Sequence, residues 1–227
     1  LETMSSTVLR LLVAASVAVV SSSQPIKVLV CTEALCPGCE HFVGHDLIPV
    51  YSQLGSDVID LQLVPFGNAK FQDDGTVECQ HGAGECDANI YELCAIAANP
   101  DPKDYLPFIG CLIDSLPMGH ADEPLDPMIF QKCAETSDLW FSRIKLCHDN
   151  EEVAAKLVKE AAANTPADHK YVPWIEIEGD HFDVGNKTLD FKTEVCNAFV
   201  ANGGSDPACD GILEEETHTG HDIVPCK

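Results

Sequence analysis

The stretch Ile26-Lys27-Val28-Leu29-Val30, followed by Cys36-Pro37-Gly38-Cys39 and then by Phe42, Leu47, Val50 and Leu54, decides the fold. An apolar run that passes through a short loop into a helical apolar pattern predicts a buried strand over 26–31 and a helix to about Leu54. Cys36 then stands at a helix N-terminus. There the unpaired backbone N–H groups and the positive end of the macrodipole stabilise a thiolate over a thiol. Pro37 suits the first turn, where its missing N–H costs nothing. Cys39 lies almost one turn on and can reach Cys36 to close a disulfide. The expectation is an exposed nucleophile at Cys36 and a resolving thiol at Cys39. Half a zinc site or a structural disulfide are the alternatives, but zinc asks for a second Cys/His pair and the chain has no second Cys-x-x-Cys.

Downstream, Gly55-Ser56-Asp57 signals a turn, and Val58 to Val64 alternates in part, as a strand with one better-buried face does. Strand, helix and strand within about forty residues form a βαβ unit with parallel pairing. From Gly67 to about Asp168 the pattern becomes helical. Helices are expected over Glu85–Ala98, around Tyr105–Leu116, over Leu139–Cys147, and over Glu151–Ala163 with Asn150 as N-cap. Tyr171 to Glu178 returns to strand character, His181 to Gly185 makes its hairpin partner, and Leu189 to Val200 is a final amphipathic helix. The apolar stripes read as core, and no internal repeat is visible.

This order of elements resembles a thioredoxin-like α/β fold carrying a helical, disulfide-rich insertion over about 68–168. The resemblance implies that Pro173, opening the strand after the insertion, takes a cis bond to Val172 against the active-site cysteines. X-Pro is the bond at which cis is inexpensive. Val172 and Pro173 are therefore the expected substrate-binding residues, with the Val172 backbone free to pair with an extended peptide. An ordinary strand-opening proline is the plainer reading.

The 227 residues suffice for one good-sized domain with an insertion. Thirteen Lys+Arg against 37 Asp+Glu give a formal net charge of −24, which argues against nucleic acid and anionic membrane surfaces as partners. Such acidity reads as a well-solvated surface, or as tolerance of an acidic compartment where protonation relieves self-repulsion. Twelve cysteines spread over the chain read as a disulfide framework made in the secretory pathway. Setting Cys36 and Cys39 aside leaves ten, enough for five structural bridges of unassigned connectivity. Residues 1–23 read as a cleaved signal peptide: Met4, an apolar run from Val8 to Val20, then three serines, too short to span a bilayer. Leu1-Glu2-Thr3 are read as upstream of the start. The domain is expected over 26–202, followed by an acidic tail over 203–227 with Cys209 and Cys226.

The most specific stretch is Cys79-Gln80-His81-Gly82-Ala83-Gly84-Glu85-Cys86-Asp87-Ala88-Asn89-Ile90-Tyr91-Glu92-Leu93-Cys94. It resembles the signature of the gamma-interferon-inducible lysosomal thiol reductase family at every fixed position: Cys79, Gln80, His81, Gly82, Glu85, Cys86, Asn89 and Cys94. With Cys36–Cys39 and Pro173, the resemblance covers about residues 26–200. It implies a soluble glycoprotein that reduces protein disulfides at acidic pH in endosomes and lysosomes, feeding antigen processing or innate immunity. It also implies trimming at both ends, with the tail over 203–227 as a propeptide. Partners would be disulfide-containing proteins and a small-thiol reductant, with no membrane insertion and no cofactor; the tail cysteines would stay tethered or link two chains. The signature cysteines read as structural. Cys86 and Cys94 stand two turns apart on one helix face and reach different partners. A zinc site of Cys79, His81 and Cys86 is the alternative, disfavoured because oxidised cysteines do not ligate metal, and no metal is expected. Asn186-Lys187-Thr188 is the one glycosylation sequon, since Pro166 blocks Asn164. A single acceptor leaves secretion beside lysosomal delivery.

The expected mechanism is attack by Cys36 on a substrate disulfide, then by Cys39 on Cys36. Glu33, Glu40 and His41 are near in sequence and read as exposed polar residues. A secretory oxidase or isomerase of the same fold and an inert disulfide-rich binding protein are the rival readings.

Overall fold

The computed structural model describes residues 24–186, 188–210 and 223–227; the expected leader and the middle of the tail lie outside them. Four strands form the central sheet: β1 (Ile26–Thr32), β2 (Ile59–Pro65), β5 (Trp174–Ile177) and β6 (Asp180–Phe182), in the order β2-β1-β5-β6. β1 and β2 are parallel, with Ile26 opposite Ile59 and Thr32 opposite Pro65, as a βαβ crossover demands. β5 runs antiparallel to β1, placing Trp174 opposite Cys31, and β6 pairs antiparallel with β5. The C-terminal end of β1 thus meets the N-terminal end of β5. The Cys36 loop leaves from the first and Val172-Pro173 enters the second.

The sheet is buried on both faces, and the period of two in β1 decides which side chain goes where. Ile26, Val28 and Val30 pack with Phe42, Leu47, Phe191, Val195 and Phe199, from the crossover helices and the final helix α8 (Phe191–Ala201). Leu29 and Cys31 face the other way, toward Val64, Leu93, Val158 and Trp174, under α3 (Ala83–Ala98) and α7 (Glu151–Asn164). Burying a side chain such as Phe42 stabilises the fold by about 1.5–3 kcal/mol relative to exposure.

The helix that follows Cys36 is not uniform. α1 (Pro37–Phe42) passes through one wide π turn, Val43–Leu47, into α2 (Ile48–Val58). Pro49 explains the widening, because it has no N–H to donate to the carbonyl four residues back. Gly55 adopts φ 64°, a left-handed conformation that breaks α2 at the expected turn, after which one further turn reaches Val58.

Between β2 and β5 lie a small hairpin, β3 (Lys70–Phe71) with β4 (Val77–Glu78), and α3, α4 (Pro102–Ser115), α5 (Pro127–Thr136), α6 (Phe141–His148) and α7. The hairpin and α5 were not expected. Asp126 caps α5 by accepting Met128 N–H, with Pro127 at the first position. Disulfides stitch this region: Cys94–Cys147 joins α3 to α6, Cys111–Cys133 joins α4 to α5, and Cys79–Cys86 closes the loop before α3. Cys196–Cys209 ties the segment after α8 back to it. The expectation of five bridges among the ten other cysteines fails at two points. Cys31 is a free thiol buried in β1, and Cys226 bonds Cys36. Among the described residues no helix is long and apolar enough to cross a membrane.

Candidate functional site

Cys36 is the N-cap of α1, and its sulfur accepts the Cys39 backbone N–H at 3.4 Å. That is the arrangement expected for a thiolate at a helix N-terminus. The bond it makes is not the expected one. Cys36 is joined to Cys226, and Cys39 is a free thiol. Cys36 is also 0 % exposed rather than open to solvent, because Cys226 and Val172 pack over it.

The peptide bond Val172–Pro173 is cis, and it brings the Val172 backbone against the cysteines. Val172 and Cys226 form a two-residue antiparallel bridge: Cys226 N–H donates to Val172 O at 2.8 Å, and Val172 N–H donates to Cys226 O at 2.9 Å. The backbone surface expected to receive a peptide strand is thus filled by the chain's own distal segment.

Beneath Cys39 lies a buried polar cluster, to which His81 and Glu85 of the signature contribute. Glu33, expected to be exposed, is 2 % exposed. Its backbone N–H donates to Cys39 Sγ at 3.4 Å, and its Oε1 accepts the Asn68 N–H at 2.7 Å. Glu40 and His41, likewise expected outside, are partly buried. Glu85 is fully buried and bonds His81 twice, accepting the backbone N–H at 3.0 Å and meeting ring Nδ1 at 2.5 Å. The same Nδ1 lies 3.7 Å from Glu33 Oε2, which makes no hydrogen bond. Asn89 accepts the Ala34 N–H at 2.9 Å and so fixes the loop that carries Cys36. Gly82, at φ 91°, lets the chain turn into α3, where a side chain would begin 2.4 Å from Ala121 O.

Burial pushes the Glu33 carboxyl up to about 8, helped by the nearby Glu85, and does the same to Glu92 on α3. Both are therefore neutral in acid and at neutral pH. Cys39 is held well above the ordinary thiol range, first by burial and then by the Glu33, Glu85 and Glu92 carboxyls, against the Glu33 N–H. It is a thiol, not a standing thiolate.

The zinc alternative at Cys79, His81 and Cys86 fails because Cys79 and Cys86 are bonded to each other. Glu33, His81 and Glu85 do offer donor atoms within 4.8 Å of one another, the spacing that a divalent ion uses. His81 bonds Glu85 and leaves Glu33 Oε2 without a hydrogen bond.

Asn186 is exposed in the turn after β6, its side chain accepting from Thr188; Lys187 between them lies outside the described residues. No pattern in the chain marks Asn68, Glu92 or Cys226 as neighbours of Cys36 and Cys39.

A sequence model of the family described as Gamma interferon inducible lysosomal thiol reductase (GILT) matches residues 27–137. The Gamma-interferon-responsive lysosomal thiol protein of Arabidopsis thaliana is 34% identical over 187 residues, covering 80% of this chain and 74% of that protein. The Gamma-interferon-inducible lysosomal thiol reductase of Carassius auratus is 32% identical over 206 residues, covering 87% and 77%. Among solved structures, reduced DsbA from Mycobacterium tuberculosis superposes with a TM-score of 0.60 at 14% identity, covering 82% of this chain and 87% of that one. BdbD from Bacillus subtilis gives 0.57 at 16%, covering 79% and 89%, so the fold is thioredoxin/DsbA-like. By sequence, fold and signature, the chain belongs to the gamma-interferon-inducible lysosomal thiol reductase family and is a thiol–disulfide oxidoreductase.

Proposed function

We propose that this chain reduces protein disulfides by dithiol exchange at Cys36 and Cys39 in the acidic lumen of endosomes and lysosomes. One observation carries the reading: a helix-capping Cys36 sulfur with a free Cys39 thiol one turn on and a cis Val172–Pro173 bond beside it.

Once its bond to Cys226 is open, Cys36 Sγ keeps the Cys39 N–H and the positive helix end, both of which favour the thiolate. The thiolate attacks one sulfur of a substrate disulfide. That S–S bond breaks, the departing sulfur takes the electron pair and then a proton, and Cys36 is left in a mixed disulfide. Cys39 gives up its proton and attacks Cys36 Sγ. The mixed bond breaks, the second substrate thiol leaves, and Cys36–Cys39 is oxidised. A small-molecule thiol restores the pair and is itself oxidised to a disulfide.

The Glu33 and Glu92 carboxyls under Cys39 stay neutral in an acid setting. Below about pH 8 the Glu33 and Glu92 carboxyls carry no charge, so the thiolate that must form on Cys39 meets less repulsion. The net charge of −24 points the same way, since protonation relieves self-repulsion in acid. Within this reading, residues 1–23 direct the chain into the secretory pathway, 26–202 form the catalytic domain with its insertion at about 68–168, 203–227 are a propeptide, and Asn186 carries a glycan. Antigen processing or innate immunity is the setting that the family suggests. A disulfide-linked dimer would need Cys226 or Cys209 to leave its partner within the chain.

Reduction of insulin disulfides across pH tests the function. Activity should be present near pH 5 and absent from a Cys36→Ser variant; a variant that kept it would overturn the assignment. A reduction potential in the range of strong oxidants would instead favour the oxidase reading.

A further inference from the structure

The segment Ile223–Lys227 does more than mask Cys36, because its backbone is held at Cys226 and Lys227. Cys226 O accepts not only Val172 N–H but also Asn68 Nδ2 at 3.3 Å. Lys227 O accepts Gln80 Nε2 at 2.9 Å. Asn68 is fixed before it meets the segment: its side chain also bonds Gln80 Oε1 at 2.6 Å and His169 Nε2 at 3.2 Å. On the other flank, a side chain at Gly38 would begin 2.4 Å from Val224 O, so only glycine clears the path. The outer side chains are left out of this recognition: Val224 is 76% exposed and Lys227 is exposed.

We infer that Val224–Lys227 is an internal substrate mimic, covalently captured, and that Asn68, Gln80, Gly38 and the Val172 backbone form the groove that binds a substrate polypeptide. This rests on the disulfide-exchange reading above. A substrate takes the place of the segment as one extended strand, with its reacting cysteine where Cys226 stands. Asn68 then reads the carbonyl of that cysteine, and Gln80 reads the carbonyl of the next residue. Because the contacts go to backbone atoms, the groove selects extended, unfolded chain around a cysteine and is tolerant of sequence. Beyond Lys227 a cleft of about 460 Å³ continues the track, lined by Lys70, His169 and Lys170 with Glu78. It has room for the residues that follow the cysteine in a substrate.

The bond Cys36–Cys226 is also the intermediate of the proposed reaction, stopped at the point where Cys39 must act. Attack of the Cys39 thiolate on Cys36 Sγ forms Cys36–Cys39 and breaks Cys36–Cys226. The electron pair goes to the Cys226 sulfur, which takes up a proton, and the groove opens to substrate.

The full chain carrying Cys39→Ser and Cys226→Ser leaves Cys36 as the one thiol at the site. Its capture of the peptide Ile-Val-Pro-Cys-Lys, activated as a thionitrobenzoate mixed disulfide, is read from the release of the coloured thiolate. N-methylation of the peptide's cysteine removes the donor to Val172 O and should slow capture about tenfold, the size of one lost hydrogen bond. Gln80→Ala should slow it several-fold, and exchanging the peptide's outer side chains should change little. Equal rates for the methylated and plain peptides would overturn the groove. A Cys36 that reacts with neither the peptides nor a small aromatic disulfide would instead overturn the exchange reading beneath it.

Discussion

Glu33 donates its backbone N–H to Cys39 Sγ at 3.4 Å, so the residue that follows β1 is bonded to the sulfur proposed to finish the reaction. Its carboxyl and that of Glu92 gain charge only as pH rises through about 8. Charge there opposes a Cys39 thiolate. Replacing both by glutamine should leave the resolution step nearly unchanged at pH 5 and speed it relative to wild type at pH 9, on the order of tenfold for one pK unit on Cys39. Single-turnover decay of a preformed mixed disulfide measures this. A ratio that stays flat from pH 5 to 9 would show that the carboxyls do not act on Cys39.

The same two groups make stability depend on pH. Their folded values are raised above 4.5, so between about 4.5 and 8 the folded state keeps protons that the unfolded chain has lost. Stability is therefore full below that window and falls as pH rises through it. His148 adds the same sign: burial lowers its pKa, but the Asp87 and Asp149 carboxylates more than offset this and raise it above 6.5. Calorimetry should find Tm lower by about 5 °C or more at pH 8 than at pH 4.5. A Tm that rises across this range would contradict the buried neutral carboxyls.

Cys94–Cys147 closes a loop of 53 residues and holds α3, which carries Glu85, Asn89 and Glu92, against α6. Replacing both cysteines by serine should cost roughly 4 kcal/mol by loop entropy. Denaturant unfolding checks the loss, and a cost below about 1 kcal/mol would mean that packing alone holds α3.

Burial pushes the Cys31 thiol up to about 12, only partly offset by the Thr165 hydroxyl. The folded protein should leave Cys31 unlabelled by iodoacetamide at pH 8 while the denatured protein labels fully, which mass spectrometry of the digested chain reads directly. Labelling in the fold would show that β1 opens.

The strands and the parallel β1–β2 pair were legible because Ile26–Val30, Val58–Val64 and Tyr171–Glu178 carry their own periodicity, and the Cys36–Cys39 spacing needs only helix geometry. The cis bond at Val172–Pro173 could be expected because the order of elements names its place. What could not be read depends on contacts far apart in the chain. Glu33 looks like any polar loop residue until Glu85 and Glu92 arrive from α3, fifty residues on, to bury it. Cys226 stands 190 residues from Cys36, and no local pattern marks that bond. α5 escaped because only Asp126-Pro127 announced it, in a stretch with weak apolar repetition.

The proposed exchange requires the Cys36 sulfur to be the atom that attacks. The most direct measurement offers a disulfide-bonded protein at pH 5 to the chain carrying Cys39→Ser and Cys226→Ser, then maps any covalent adduct by mass spectrometry. The prediction is substrate cysteine bound to Cys36, removable by a small thiol. No adduct at Cys36, while the wild-type chain reduces the same substrate, would contradict it.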